Sequence, residues 1–236
     1  MSGNFVQRGI PAITDKYKRC RAAVDSGVNL VVELPLFYAV SSAEIFAAGA
    51  VATLNALNAS FISFGCENAD IQMLKKIAIT LVNEPDEYKK HLKKALTCGD
   101  SFPTARAKAL SEFFKSDDIS RLISSPNNIL AIEYIKEIIK SESAVTPVAL
   151  TRKISGYHDS EIHENIASAS AIRKILHDSG IHKNNDSRCK NIKELQNVMP
   201  KAMYNILASE SQNNALIYAD DFSSMLNYKI SNIFYI

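Results

Sequence analysis

The sequence predicts an α/β fold, a parallel sheet with crossover helices followed by a partial helical C-terminal region. Three observations carry that reading. Short apolar runs end in turn residues at Val28–Pro35 and Phe61–Gly65, the pattern of strands buried in a parallel sheet. A segment of helical period precedes each run. The first 68 residues therefore read loop, helix, strand, helix, strand, loop, and that alternation marks parallel strands joined by crossovers.

Taken in order, Met1–Gly9 is a loop of the kind that leaves the end of a strand. Thr14 caps a helix over Asp15–Ser26 that Gly27 stops, and its outer face carries Lys16, Lys18, Arg19 and Arg21. Val28–Pro35 follows as a buried strand. Ser41 and Glu44 make a capping box for a helix over Ser42–Leu57, whose small residues Ala48 and Ala52 let it approach a sheet closely. Phe61–Gly65 is the next strand and runs into Cys66, Glu67 and Asn68. Ligands in such folds bind outside the carboxyl ends of the strands, so Ser2–Gly9, Glu33–Tyr38 and Gly65–Asn68 are the loops to watch.

The middle is helical over Ile71–Val82, Asp86–Leu96, Thr104–Lys115 and Asn127–Lys140. The last of these is opened by Ser125-Pro126, a cap followed by proline at the first helical position. Thr146–Thr151 is a further strand, and Arg152–Asp159 a polar loop. A helix begins near Asn165 and ends near Gly180, His182–Lys190 is a polar linker, and Pro200 opens another helix. The expected domains are 1–180, with the sheet, and 181–236, a partial helical region.

A chain of 236 residues, 47% hydrophobic and 22% charged, has an ordinary soluble globular profile, long enough for one large α/β domain or one domain plus part of another. Glu33, Pro35 and Glu44 interrupt the longest apolar region, Val28–Leu57, which rules that stretch out as a membrane span. Cys20, Cys66, Cys98 and Cys189 are far apart with no CxxC spacing, the pattern of reduced cytosolic thiols and not of a zinc site. A net charge of +2 does not call for nucleic acid, so the local clusters Lys89, Lys90, Lys93, Lys94 and Lys16, Lys18, Arg19, Arg21 must be weighed singly: each suits an RNA backbone and equally a solvated helix face.

Several constellations carry chemistry. Ser168-x-Ser170-x-x-Arg173-Lys174 puts hydroxyls, free N–H groups and two cations at a helix start, which suits a phosphate and also an ordinary N-cap. His158, Asp159, Glu161 and His163 lack the spacing of a helical metal motif and read as a polar loop. Glu33 and Glu67 stand at strand ends, where carboxylates serve as acid/base or cation-binding groups or as caps. Gly65 at a strand terminus allows close approach by a ligand, or forms a turn. Asn127-Asn128 can hydrogen-bond a base or ribose, or cap the helix. No Walker A and no GxGxxG sequence occurs.

Six stretches together resemble one family. They are Met1–Ala12, Val31–Pro35, Ser42–Ala47, Phe64–Asn68, Ser125–Leu130 and Ile166–Lys174, and they stand in the same order in tRNA(Met) cytidine acetate ligase. The resemblance covers roughly Met1 to Leu176. It implies a Rossmann-like nucleotidyltransferase fold and a reaction in which acetate and ATP give acetyl-adenylate and pyrophosphate. The acetyl group then passes to the wobble cytidine of elongator tRNA(Met). ATP is the implied substrate, with Mg2+ compatible as its counter-ion, and the implied location is cytoplasmic.

By motif, the resemblance implies ATP contacts at Gly65, Asn127 and the Arg152, Lys153, Ile154 stretch. Lys153-Ile154 occupies the family's Arg-Ile position, where a lysine neutralises phosphate without a bidentate fork. Arg173 is implied as a phosphate or structural contact, and Gln7 and Arg8 as groups facing the site. No specific catalytic residue or metal ligand is assigned. The family opens on a strand and an Asn-Pro-Phe-His-x-Gly-His motif that does not occur in this sequence, and it is longer at its C-terminus. The chain is therefore expected to lack both end segments of the family. Two alternatives follow: an inactive fragment that retains only RNA binding, and a related nucleotidyltransferase that uses another carboxylic acid.

Overall fold

The computed structural model describes residues 1–7, 9–152, 162–163, 166–180 and 192–233. Its elements in chain order are α1 (Lys16–Asp25), α2 (Leu36–Ala39), α3 (Ala43–Ala56), β1 (Phe61–Cys66), α4 (Ile71–Asn83), α5 (Asp86–Thr97), α6 (Phe102–Phe114), α7 (Asp118–Ser124), α8 (Pro126–Lys140) and β2 (Thr146–Thr151). There follow β3 (Ile162–His163), β4 (Ile166–Ala167), α9 (Ala169–Gly180), α10 (Lys201–Gln212), a 3-10 turn at Ala219–Phe222 and α11 (Ser223–Ile233). They form two compact units, one of Ser41–Ser155 and one of Met1–Val40 with Gly156–Ile236.

The unit Ser41–Ser155 is built on β1 and β2, which pair in parallel from Phe61 opposite Thr146 to Cys66 opposite Thr151. The alternation of side chains decides what each face meets. Ile62 and Cys66 are buried, Phe64 is half-buried, and Phe61, Ser63 and Gly65 lie on the exposed face. The buried face packs in two clusters. Val51 of α3, Ile138 of α8 and Val145 surround Ile62. Leu74 and Ile77 of α4, Leu110 of α6 and Ile132 and Ile135 of α8 surround Cys66. Phe64 bridges the two and stacks on Tyr134, with ring centroids 5.6 Å apart. A buried ion network joins α6, α8 and α3: Glu133 accepts from Arg106 at 3.1 Å and from Lys136 at 2.6 Å, and Lys136 also meets Glu44 at 3.6 Å.

In the other unit, the side chain of Arg19 on α1 ties down the opening loop. Its Nη1 donates to the Ser2 carbonyl at 3.1 Å, its Nη2 to the Gly3 carbonyl and its Nε to the Thr14 carbonyl at 3.2 Å. The loop folds back through a bridge of Phe5 with Pro11, turning at Gly9 with φ +71°. That left-handed conformation is costly for a residue with a Cβ. Ile13, Leu176, Ile192, Leu195, Val198 and Leu207 form this unit's core.

The expected parallel sheet with helices between its strands is present as the β1–β2 pair, and so is the strand at Thr146–Thr151. Four local expectations need correction. Val28–Pro35 is not a buried strand: Val28 and Leu30 are exposed, and its pairing is a single parallel bridge of Leu34 with Ser2. A strand needs a neighbour along its length, and among the described residues this one has backbone pairing only with Met1 and Ser2, with Met1 donating to the Val32 carbonyl at 2.7 Å. Asp15, not Thr14, caps α1, accepting from the N–H groups of Tyr17 and Lys18 at 2.9 Å each. Thr14 is buried and donates to Glu210 at 3.4 Å. Ser42 caps α3, while Glu44 pairs with Lys136 and Lys140. Finally, α7 was not expected; its seven residues are too few to show a helical period.

The Lys18 N–H bond holds the Asp15 carboxyl below its ordinary value of 3.8, against a smaller opposing effect of burial. A depressed folded-state pKa gives stability that is full above the unfolded value and lost as pH falls through the folded one. Asp15→Ala is therefore expected to cost about 1 kcal/mol near neutral pH, with the difference closing in acid, as pH falls through the depressed carboxyl value. Urea melts of both proteins at neutral and acid pH check this; an unchanged gap in acid would refute it.

Candidate functional site

The carboxyl end of β1 is the best-defined polar site in the Ser41–Ser155 unit. It forms because β1 runs out at Cys66, where the Arg152 N–H still donates to the Cys66 carbonyl at 3.0 Å. The two strands thus end together, and Arg152 emerges beside Gly65. A Cβ placed on Gly65 would lie 3.3 Å from Arg152 Cγ and 3.8 Å from Cδ. The arginine stem therefore lies over a glycine whose missing side chain leaves it room. Among the described residues, the Arg152 guanidinium has no ion-pair partner, and the residue is exposed. An exposed arginine beside exposed backbone is suited to an anion.

Past Cys66 the chain would splay, but Asn128 holds it. Asn128 is 1% exposed. Its Oδ1 accepts from the N–H groups of Glu67 at 3.0 Å and Asn68 at 3.2 Å, and its Nδ2 donates to the Leu122 carbonyl at 2.9 Å. One residue earlier, Asn127 Nδ2 donates to Glu67 Oε1 at 2.7 Å. Glu67 Oε2 is buried and has no hydrogen-bond partner among the described residues. Asp70 then caps α4 through the N–H groups of Gln72 and Met73. Burial raises the nearby Cys66 thiol above its ordinary value, with the charge of Glu67 adding to it, so this cysteine is a packing group and not a nucleophile.

The structure therefore brings Gly65, Asn127 and Arg152 to one end of one sheet. Lys153 and Ile154 lie outside the described residues, as do Arg8, His158, Asp159 and Glu161. Arg173 stands on α9 in the other unit, half-buried. Burial holds the Arg19 guanidinium below its ordinary value, and the positive charge of Arg173 adds to that effect. Ser168 is the cap of α9, its Oγ accepting from the Ala171 N–H at 3.0 Å. Glu33 takes Lys16 at 2.6 Å and sits against Gly3, where its Oε1 would be 2.5 Å from an added Cβ. Sequence reasoning left Glu67 and Asn128 undecided. Their signal is the pairing of a strand-end Glu-Asn with an Asn-Asn helix start, which spacing alone does not connect.

The basic face expected on α1 is largely committed to the protein itself. Lys16 pairs with Glu33, Lys18 with Glu210 and Asp15, Arg21 with Asp25, and Arg19 with carbonyls. On α5, Lys89, Lys90 and Lys93 are exposed and have no ion pair among the described residues. No group of three His, Cys, Asp or Glu side chains suited to a metal occurs among the described residues, and no helix there is long and apolar enough to cross a membrane.

A polar site at the carboxyl end of parallel strands is where comparison with known proteins is most informative. The family model described as HIGH Nucleotidyl Transferase matches residues 1–233. This chain belongs to the HIGH nucleotidyl transferase family. Within that family it is similar to the tRNA(Met) cytidine acetate ligase of Clostridium novyi, at 44% identity over 97% of this chain and 55% of that protein. It is also similar to that of Clostridium perfringens, at 46% identity over 89% of this chain and 52% of that protein. The chain thus spans about half the length of the curated relatives it matches. Among solved structures it resembles Thermotoga maritima TmcAL bound with alpha-thio ATP, with a TM-score of 0.80 and 32% identity over 94% of this chain and 50% of that one. The apo form of the same protein matches with a TM-score of 0.84 and 33% identity. The α/β nucleotidyltransferase fold expected from sequence is therefore the fold observed.

Asn128 is the structural group of this strand-end site. Asn128→Ala would leave two N–H groups and one carbonyl without their partner, an expected loss of about 2–4 kcal/mol. Chemical denaturation checks it, and a loss below about 0.5 kcal/mol, the level of an ordinary surface change, would refute the clamp.

Proposed function

We propose that the chain is the nucleotide-binding part of an ATP-dependent ligase that activates acetate as acetyl-adenylate and acetylates the wobble cytidine of elongator tRNA(Met) to N4-acetylcytidine. The observation that carries the reading is the exposed Arg152, its stem over Gly65 and its guanidinium without an ion pair among the described residues, at the end of parallel strands in a chain so similar to named tRNA(Met) cytidine acetate ligases. The alpha-thio ATP in the Thermotoga maritima neighbour supports ATP as the nucleotide.

The chemistry suits such a site. An acetate oxygen attacks the α-phosphorus, the bond to the β-phosphate oxygen breaks, and pyrophosphate leaves. The cytidine amine then attacks the acetyl carbonyl, AMP departs and the amine loses a proton. Acetate alone is inert to the amine because its oxygen is a poor leaving group. The protein's part is to hold acetate against phosphorus and to neutralise charge on the phosphate oxygens. Arg152 does the second, Gly65 lets the nucleotide approach the backbone, and Asn127 contacts the nucleotide. By the family resemblance Lys153 adds positive charge, and Mg2+ accompanies the triphosphate. The exposed α5 lysines Lys89, Lys90 and Lys93 offer cationic contacts to the tRNA backbone. A reaction between ATP and tRNA belongs to the cytoplasm.

The test is acetate-dependent exchange of labelled pyrophosphate into ATP by the full-length protein. Exchange is expected with acetate and should fall with bulkier carboxylates, and labelled acetate should appear in tRNA(Met). Arg152→Ala is expected to lower kcat/KM for ATP by about 10- to 100-fold, the range for losing one charge-assisted contact. Absence of exchange in folded protein would sink the proposal, and exchange with another acid alone would redirect it to a different ligase.

A further inference from the structure

Glu67 is a carboxylate at the site whose two oxygens are treated differently. Oε1 takes the Asn127 amide at 2.7 Å, while Oε2 is buried without a partner among the described residues. Its backbone cannot drift, because Asn128 holds the N–H groups of both Glu67 and Asn68. Burying a carboxylate oxygen with nothing to accept from is costly, and such an atom in a ligand-facing site calls for a donor from the ligand.

The same bond fixes the chemistry of Asn127. Turning its amide by 180° would set an amide oxygen against a carboxylate oxygen, so Nδ2 stays on the Glu67 side and Oδ1 is directed away from it. Asn127 therefore offers the ligand an acceptor. Together the pair presents a carboxylate oxygen and an amide oxygen, both of which repel phosphate and both of which accept from O–H or N–H.

Arg152 locates the rest of the nucleotide. Its stem lies over Gly65, two positions before Glu67, a span of at most about 7 Å. With phosphate at Arg152, the nearest donor-bearing group along a nucleotide is the ribose, and the base lies farther out. We infer that Glu67 and Asn127 form a paired acceptor for the ribose hydroxyls, with Glu67 also acting as the positioning residue that sets the Asn127 amide. The inference rests on the nucleotide-binding reading above and adds the part of the nucleotide that this pair selects.

The experiment is calorimetric binding of ATP, 2′-deoxy-ATP, 3′-deoxy-ATP and inosine triphosphate to the full-length protein and to Glu67→Gln. The wild type is expected to lose about 10-fold or more for a missing ribose hydroxyl, the scale of one hydrogen bond to a charged acceptor, and to bind the inosine nucleotide nearly as well as ATP. In Glu67→Gln, ATP is expected to weaken about 10-fold and the preference for hydroxyls to shrink to within about 3-fold. Asn127→Ala should shrink the same preference, which keeps the test alive if Glu67→Gln folds poorly. Equal binding of ATP and both deoxy nucleotides by the wild type overturns the inference while leaving nucleotide binding intact. Selective loss of the inosine nucleotide overturns it by assigning the pair to the base. Uniform weakening in Glu67→Gln with the hydroxyl preference retained makes Glu67 merely structural and also overturns it. No ATP binding by the wild type overturns the nucleotide-binding reading itself.

Discussion

The side chain of Asn128 is the constraint on which the site depends. A parallel strand that reaches its carboxyl end has N–H groups with no further ladder to join, and burying them unpaired is costly. One amide oxygen meets both the Glu67 and Asn68 donors, and the amide nitrogen meets Leu122 before the start of α8. A turn that would otherwise be free becomes part of the helix–sheet core. Glu67 is held facing Asn127 for that reason, and Gly65 is held beside Arg152 because the strand ends where it does. Rigid backbone beside an exposed arginine is the preorganisation that charge stabilisation requires.

Polar groups in this chain separate into those used internally and those left available. The cations of α1 illustrate the first kind. Arg19 spends all three of its donor nitrogens on carbonyls of the opening loop and the turn before the helix. Lys18 reaches Glu210 on α10, which also receives Thr14. Within α6 and α8, Arg106 and Lys136 are consumed by Glu133. Arg152 belongs to the second kind, being exposed and without an ion pair among the described residues. A charge count on the sequence cannot separate these classes, because partners such as Glu210 lie far along the chain. Geometry separates them at once.

The crossover helices were legible because their signals are local: proline at the start of α8, periodic apolar residues in α4, turn residues after β1. The strand at Val28–Pro35 was misread for a physical reason. Composition reports a segment's preference for extended backbone, whereas a strand exists only when a neighbour supplies the ladder. Here Met1 and Ser2 supply one bridge. The caps of α1 and α3 were displaced by one residue because Thr14-Asp15 and Ser41-Ser42 each offer two good caps in succession. At the site, Gly65 and Asn127 were marked by their residue types with alternatives open and by the resemblance as ATP contacts, and their meeting at one strand end came from the fold. Glu67 and Asn128 were visible as polar residues, but their roles depend on contacts across some 60 positions.

Asn127 and Asn128 are chemically identical and adjacent, yet they do different work, and helix geometry is the reason. Successive side chains on a helix diverge by about 100°. At the first turn of α8 that angle turns Asn128 into the core, where its amide is saturated by backbone, and leaves Asn127 on the rim with Glu67. Burial then sets the consequences. An amide in the core can only stabilise, since every group it touches is already fixed. An amide on the rim, anchored on one side by a carboxylate, has an oxygen left over. The proline that opens α8 contributes to this, because its fixed φ starts the helix at a defined residue. A shift of one position would put Asn127 in the core slot with Pro126 on the rim, or Asn128 on the rim with Ile129 in the core slot, and either way one of the two amides would lose its place. The Ser125-Pro126 helix start is therefore a determinant of the site's polarity as well as of the fold.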